Sequence, residues 1–141
     1  MALPAHLTLE IVTPDRAIAH DMVDEVEIPG AGGYFGVLPG HTPLLALLQV
    51  GELWYRKAGE TFYVSIAFGF AEVLPDRVTI LAQIAERAEE IDVARAEDEK
   101  RRAEARLSRR PPSDGEMEAA RISMLKALVR LRAATRRGPR A

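Results

Sequence analysis

The sequence contains no cysteine among its 141 residues, which excludes disulfide bonds, thiolate catalysis and cysteine-based metal sites. No apolar run approaches the roughly 20 residues that a membrane-spanning helix needs. The first six residues lack the basic patch and apolar stretch of a signal peptide. We therefore expect any attachment to a membrane to come through a partner protein.

Motifs for catalysis are also lacking. The three histidines, His6, His20 and His41, are scattered and have no neighbouring carboxylates at metal-ligand spacing. No serine lies in a Gly-x-Ser-x-Gly elbow. The glycine-rich segment from Gly30 to Gly36 lacks the Gly-Lys-Ser/Thr ending of a phosphate loop and leads into no helix, so it indicates a flexible inter-strand loop. The sequence does not predict an enzyme acting by itself.

Charge is distributed unevenly along the chain. The net charge is −2, but residues 1–88 carry 11 acidic and 5 basic side chains, whereas residues 89–141 carry 10 acidic and 14 basic ones. This asymmetry predicts two units, residues 1–88 and residues 89–141, that meet different partners.

The first unit has the pattern of a β-structure. Apolar and polar residues alternate in several short runs, and residues 44–50 are nearly all apolar, which predicts a strand buried on both faces. Turn residues separate the runs, as in the hairpin loop at 58–60. We expect an antiparallel β-sandwich, with a barrel as the alternative. The other predicted strands are 7–11, 25–28, 53–57, 62–68, 72–74 and 78–81.

The second unit is predicted to begin with a helix. Neither glycine nor proline occurs between Glu86 and Arg110. Asp92 is a plausible N-cap for a helix that runs to about Arg109, before a break at Pro111-Pro112. The apolar stripe of this helix is thin and consists of Ala96, Ala103 and Leu107.

A second helix is predicted to follow. Ser113 and Glu116 have the spacing of a capping box. The short link favours an antiparallel helical hairpin. Its apolar surface is broader than a thin alanine face can cover, so we expect the hairpin to dock on the sandwich or on a partner. The predicted stripe is Met117, Ala120, Met124, Leu128 and Leu131, with Ile122, Leu125 and Val129 beside it.

Four segments resemble the epsilon subunits of bacterial F-type ATP synthases. Residues 35–44 resemble the family segment Gly-Ile/Val-Leu-Pro-Gly-His-x-Pro-Leu, and residues 68–73 are similar to Gly-Gly-Phe-x-Glu-Val. Residues 78–82 resemble the last strand of the family's sandwich. Residues 91–96 match the Ile/Leu-Asp-x-x-Arg-Ala signature that opens its first C-terminal helix. The resemblance implies the same sandwich followed by a helical hairpin.

The resemblance implies a non-catalytic rotor subunit that binds gamma through the sandwich and rests on the c-ring. It would be peripheral, on the cytoplasmic side of the bacterial plasma membrane. The loop from Pro29 to Gly36 should face the c-ring, near His41. Gly33, Tyr34 and Phe35 stand where many relatives carry an acidic Gly-Glu-Leu/Ile-Gly motif, so aromatic packing is expected there. The alternative is that both aromatic residues pack the sandwich edge.

The resemblance also implies a regulatory hairpin. In the family, the hairpin extends along gamma towards the alpha and beta subunits and inhibits ATP hydrolysis; a solvated basic helix face is the alternative. Some bacterial members bind ATP on the folded hairpin. Lys126 stands where strong binders have arginine, so weaker binding is expected. Asp92 acting only as a cap, and Arg95 only as an ion-pair partner, are alternatives. The implied ATP residues are Glu86, Ile91, Asp92, Arg95, Ala96, Lys126 and Arg130.

Two competing functions remain open from the sequence. A nucleic-acid-binding protein could use the basic second unit, but acidic residues interrupt its positive charge and no aromatic residue lies beyond Phe70 to stack bases. A sugar-binding sandwich would need exposed aromatic residues around a groove, and the chain has few.

Overall fold

The computed structural model describes residues 2–109 and 113–136. The predicted break at Pro111-Pro112 and the basic run after Arg136 lie outside these residues. The chain forms a β-sandwich followed by two helices, as predicted. The elements are β1 (Leu7–Val12), β2 (Ala17–Val23), β3 (Glu25–Gly30), β4 (Gly33–Val37), β5 (Leu44–Leu48), β6 (Gly51–Lys57), β7 (Glu60–Leu74), β8 (Arg77–Arg87), a 3₁₀ turn (Ala88–Glu90), α1 (Val93–Ser108) and α2 (Asp114–Thr135).

The strands are ordered β2-β1-β8-β7-β5-β3-β4, and β6 pairs with β3 and β7. One pair of strands departs from the predicted antiparallel arrangement. Strands β1 and β8 run parallel, with Thr8 opposite Arg77 and Val12 opposite Leu81. A tight hairpin would force neighbouring strands to be antiparallel. Since six other strands separate β1 from β8 along the chain, no such constraint applies to this pair.

One long strand joins the two halves of the sandwich. The 15-residue β7 pairs with β6 up to Ile66 and with β5 from Gly69 onward. Between these regions two consecutive residues have positive φ, +62° at Phe68 and +130° at Gly69. A Cβ on Gly69 would lie 2.0 Å from the carbonyl oxygen of Leu81, so this position requires glycine.

The core consists of large aliphatic side chains at alternate strand positions. In β1, Leu7, Leu9 and Ile11 are fully buried, and Thr8 and Glu10 point outward. This confirms the alternation read from the sequence. Burying each such side chain contributes about 1.5–3 kcal/mol.

The prediction for residues 44–50 was wrong. In β5 only Leu48 is buried, and Leu44, Leu45 and Leu47 are exposed. The run is apolar on both sides of the strand, but only one side faces the core. An apolar composition cannot by itself show what covers the second face.

The glycine-rich segment is not the flexible loop that was predicted. It forms a tight hairpin in which Gly30 of β3 lies opposite Gly33 of β4, and Ile28 lies opposite Phe35. The backbone of Gly33, with φ at +131°, is available to glycine and disfavoured for other residues. Strand β2 was not predicted, because its apolar pattern is interrupted by the polar pair at 20–21.

Both helix starts are as predicted. The carboxylate of Asp92 accepts a hydrogen bond from the backbone N–H of Arg95 at 3.1 Å. The hydroxyl of Ser113 accepts one from the N–H of Glu116 at 3.2 Å. Each cap satisfies one of the unpaired donors at a helix N-terminus.

The two helices pack against each other through alanine side chains. The predicted apolar stripe of α2 was therefore wrong in part. Leu128 of that stripe is exposed. Alanine lets two helix backbones approach closely, so the larger side chains lie beside the contact. The buried helical residues are Ala96 and Ala103 in α1, and Ala120, Ala127, Ala133 and Ala134 in α2. α2 also lies against β6, β7 and the 3₁₀ turn, so the hairpin is docked on the sandwich. Neither helix has the length and apolar character needed to cross a membrane.

Candidate functional site

A groove of about 290 Å³ lies where the hairpin meets the sandwich. We call it the junction groove. Its floor is apolar, and charged side chains surround it. The apolar lining is Val50, Ile66, Ala67, Ile84 and Val129, and the polar lining is Ser65, Glu86, Arg95, Glu99, Lys126 and Arg130.

Arg130 is the central cation of the junction groove. Its Nε donates to Oε1 of Glu86 at 2.6 Å, and its Nη1 donates to Oε2 of Glu99 at 2.8 Å. Burial opposes the charge of the guanidinium, but the two carboxylates outweigh burial and raise the pKa of Arg130 above its ordinary value. Arg130 therefore ties α2 to both β8 and α1.

Lys126 lies one helical turn before Arg130, on the same face of α2. Its Nζ is 5.7 Å from the centre of the Phe68 ring, which is within cation–π distance. No carboxylate of the described residues forms an ion pair with Lys126. Its positive charge is thus left available to an anion.

A second groove, of about 500 Å³, runs between the two helices. We call it the basic groove. Glu99 and Lys126 line both grooves, so the two are continuous at these residues. Asp98 neutralises Arg102. The remaining lining of the basic groove is Arg102, Ala105, Arg106, Arg109 and Ser123.

Together the two grooves have the chemistry of a nucleotide site. The apolar floor of the junction groove suits an aromatic base. The guanidinium and ammonium groups of the basic groove suit phosphate oxygens, which arginine binds through paired donors and lysine binds as a point charge. Such a ligand would contact the sandwich and both helices at once.

The structure brings together four of the seven predicted ATP residues: Glu86, Arg95, Lys126 and Arg130 line the junction groove. The other three residues do not line the groove but stabilise the elements around it. Ile91 packs with Ala133 and Ala134 of α2, Ala96 is buried, and Asp92 caps α1.

Sequence reasoning missed Glu99, which bridges two of these residues. Its Oε1 lies 3.3 Å from Nε of Arg95, and its Oε2 accepts from Arg130. The i,i+4 spacing of Arg95 and Glu99 is a signal that could have identified it. Phe68 was missed as well, because its contact with Lys126 joins residues far apart in the sequence.

The residues predicted to face the c-ring lie on and after β4. Phe35 packs against the core, which agrees with the alternative for this residue but not for Tyr34. The ring of Tyr34 is half-exposed, and its hydroxyl accepts a hydrogen bond from the N–H of Glu52 at 2.9 Å. Gly33 starts β4 after the turn, and His41 lies in the loop before β5, with Nδ1 2.6 Å from the carbonyl oxygen of Thr42.

The outer face of the sandwich carries an exposed apolar surface, which we call the outer patch. It consists of Leu45, Leu47, Phe70 and Leu81, whose exposed fractions are 71%, 58%, 50% and 54%. Leu47 lies opposite Phe70, and Phe70 opposite Leu81, on the adjacent strands β5, β7 and β8. Contiguous apolar surface of this kind marks an interaction site.

The end of α2 is anchored separately from the grooves. Nε of Arg136 lies 3.4 Å from Oε1 of Glu52, and its guanidinium lies over the Tyr63 ring at 5.3 Å. The Glu52 side chain is only 10% exposed, and its Oε2 has no hydrogen-bond partner among the described residues. Burial raises the pKa of Glu52 above its usual value.

Comparison with known proteins agrees with this architecture. Residues 6–88 match the β-sandwich domain of the ATP synthase delta/epsilon chain, and residues 89–135 match its long α-helix domain. The ATP synthase epsilon chain of Koribacter versatilis is 57% identical over 103 residues, which is 73% of this chain and 72% of that protein. ATP synthase epsilon chain 2 of Syntrophotalea carbinolica is 46% identical over 94% of this chain and 96% of its own length.

A solved structure gives the same result. A chain in the cryo-EM structure of the Euglena gracilis mitochondrial ATP synthase, which comprises OSCP, F1 and the c-ring, superposes with a TM-score of 0.82. It is 26% identical and covers 96% of this chain and 84% of its own length. The chain therefore belongs to the ATP synthase delta/epsilon chain family.

Proposed function

We propose that this chain is the non-catalytic epsilon subunit of a bacterial F-type ATP synthase, and that it links gamma to the c-ring in the rotor. The outer patch is the observation that carries this proposal. It presents four large apolar side chains on three paired strands. Covering the exposed part of one such side chain contributes about 1–2 kcal/mol, so a docked partner would gain substantially from this face. The comparisons give no support to the nucleic-acid-binding alternative.

Gamma is the partner that we assign to the outer patch. We assign the c-ring contact to the exposed ring of Tyr34 and to the loop that carries His41. These contacts would hold the chain at the cytoplasmic face of the plasma membrane through its partners. The arrangement divides the sandwich into separate surfaces for two neighbours.

ATP is the regulatory ligand that we assign to the two grooves. The base lies on the apolar floor, and the phosphates lie near Lys126 and the arginines of the basic groove. Since the ligand would contact the sandwich and the hairpin together, it would stabilise the docked hairpin by mass action. A hairpin released from the sandwich would extend along gamma to the alpha and beta subunits and inhibit ATP hydrolysis.

The rotor assignment is tested by co-purification with gamma. Leu47→Asp and Phe70→Asp each place a charge in the outer patch and should abolish retention of the chain on immobilised gamma. Met22→Asp is a matched control, because Met22 is an exposed apolar side chain on β2, outside the outer patch. Thermal unfolding of the free variants checks that all three fold. Undiminished retention of both outer-patch variants would refute the assigned surface.

The inhibitory role is tested by removing the hairpin. ATP hydrolysis by the reconstituted complex is compared between the full chain and a chain that ends at Glu89. Truncation should raise hydrolysis several-fold while the complex stays assembled. An unchanged rate would remove the inhibitory role and leave the rotor function standing.

A further inference from the structure

We infer that Phe68 is a positioning residue for Lys126: its ring holds the lysine ammonium at the meeting point of the two grooves, ready for a phosphate group. The inference rests on the proposed nucleotide site and adds to it the residue that orients Lys126, a cation of the site that has no ion pair among the described residues. Three observations support it.

The first observation is the backbone of Phe68. Its φ of +62° lies in the left-handed region, which bulky residues rarely adopt because the Cβ crowds the following carbonyl. Glycine would adopt this conformation without strain. A phenylalanine with a strained backbone requires stabilising contacts, so the contacts of its ring are informative.

The second observation is the location of that ring. Phe68 is half-buried and does not belong to the sandwich core, which the aromatic residues Phe35 and Phe62 pack against. Its ring instead faces α2, where Nζ of Lys126 lies 5.7 Å from the ring centre. The strained residue of the sandwich thus contacts a cation of the hairpin.

The third observation is the charge balance around the grooves. Arg95 pairs with Glu99, Arg102 with Asp98, and Arg130 with Glu86 and Glu99. Lys126 is held by an aromatic face, which attracts the ammonium without neutralising it. A carboxylate in the place of this ring would position the lysine but would compete with a phosphate for it.

Positioning matters because lysine has a long flexible stem. Free in solvent, it would lose rotamer freedom on binding an anion, and that loss weakens affinity. The Phe68 ring restricts Lys126 before the ligand arrives. Its contribution should therefore appear for a ligand that carries phosphates and be absent for one that lacks them.

The test uses the full-length chain with ATP and with adenosine, whose affinities are measured by calorimetry and NMR titration. Phe68→Leu keeps the apolar bulk and the backbone strain but removes the aromatic face. It should weaken ATP binding about two- to tenfold, the range expected when one long side chain must be ordered on binding. Adenosine binding should not change, and Phe68→Tyr should retain the affinity for ATP.

A double-mutant cycle with Lys126→Gln provides the matched control. If Phe68 acts through Lys126, Phe68→Leu should have no further effect on ATP binding in the Lys126→Gln background. NMR gives a readout without ligand: the ε-methylene protons of Lys126 should show a ring-current shift that is lost in Phe68→Leu.

Each contrary result has a distinct meaning. Unchanged ATP affinity in Phe68→Leu, an equal loss for adenosine, or absence of the ring-current shift overturns the role of Phe68 and leaves the nucleotide site intact. Failure of the unmodified chain to bind either ligand overturns the nucleotide site and the role of Phe68 together. The assignment to gamma would survive both results.

Discussion

The sandwich and the hairpin are stabilised in different ways. The sandwich encloses fully buried leucine, isoleucine and valine side chains contributed by strands along its whole length. The buried helical residues are alanines, and ion pairs and two cation–π contacts connect the hairpin to the sandwich. A large apolar core is lost only by unfolding, whereas ion pairs at a surface can be exchanged for other partners. We therefore expect the hairpin to leave the sandwich more readily than the sandwich unfolds.

The largest expected effect is a cavity in the sandwich. Leu9→Ala removes a fully buried side chain and should lower the free energy of unfolding by about 2–5 kcal/mol. Leu81→Ala is the same substitution at an exposed site and should change it by less than about 0.5 kcal/mol. Urea denaturation measures both. Similar losses for the two variants would mean that the outer patch is covered in the free chain.

The next effect should be confined to the hairpin. Arg130→Ala leaves Glu86 and Glu99 without their shared cation and should destabilise docking by about 1–3 kcal/mol. Hydrogen exchange should accelerate in α2 and stay slow in β1. Arg121→Ala removes an exposed arginine paired with Glu118 at 3.8 Å and serves as the control. Faster exchange throughout the sandwich would show that the two regions unfold as one unit.

Lowering the pH should destabilise the contacts of Glu90 in the 3₁₀ turn, which joins the sandwich to the hairpin. Hydrogen bonds from Arg16 and Arg87 hold the pKa of Glu90 to about 2. Because the pKa is lower in the folded state, the stabilisation is present above the unfolded value of 4.5 and is lost as pH falls towards 2. Since Glu90 is partly exposed, we expect about 1 kcal/mol. Glu90→Gln should lack this part of the pH dependence in thermal unfolding, and a profile identical to that of the unmodified chain would contradict the assignment.

The smallest expected effect concerns Glu52, at the far end of α2. Here ionisation of the carboxyl group lowers the stability of the fold instead of raising it. Burial raises the pKa of Glu52, so its charge opposes folding at neutral pH, and this cost disappears as pH falls below the unfolded value. Glu52→Gln should therefore raise the melting temperature at pH 7–8, by the equivalent of at most about 1 kcal/mol, and should change it less near pH 4. A lower melting temperature at pH 7–8 would show that the pair with Arg136 outweighs burial.

The sequence predicted the features that depend on local interactions. Asp92 and Ser113 cap their helices because a cap needs only a side chain and a backbone donor three residues away. The alternation of apolar and polar residues in β1 also predicted its buried face, because this pattern too depends only on neighbouring residues. The exposed side of β5 could not be predicted, because an apolar run looks the same whether or not other parts of the chain cover its second face.

The candidate site was predicted only in part for a related reason. Four residues of the junction groove were identified through a family resemblance. The bond between Glu86 and Arg130 joins positions 44 residues apart, and no local spacing predicts it. The glycine-rich hairpin was misread because glycine favours both loops and tight turns, and only the pairing of β3 with β4 distinguishes them.

The length of β7 also has a mechanical consequence. Phe68 and Phe70 lie two residues apart on one strand; the first contacts the hairpin, and the second lies in the outer patch. That strand is hydrogen-bonded to β5, β6 and β8 along its length of roughly 50 Å. A force applied along it loads many hydrogen bonds in parallel instead of breaking them one after another. A torque delivered at the outer patch would thus reach the rest of the sandwich with little elastic loss.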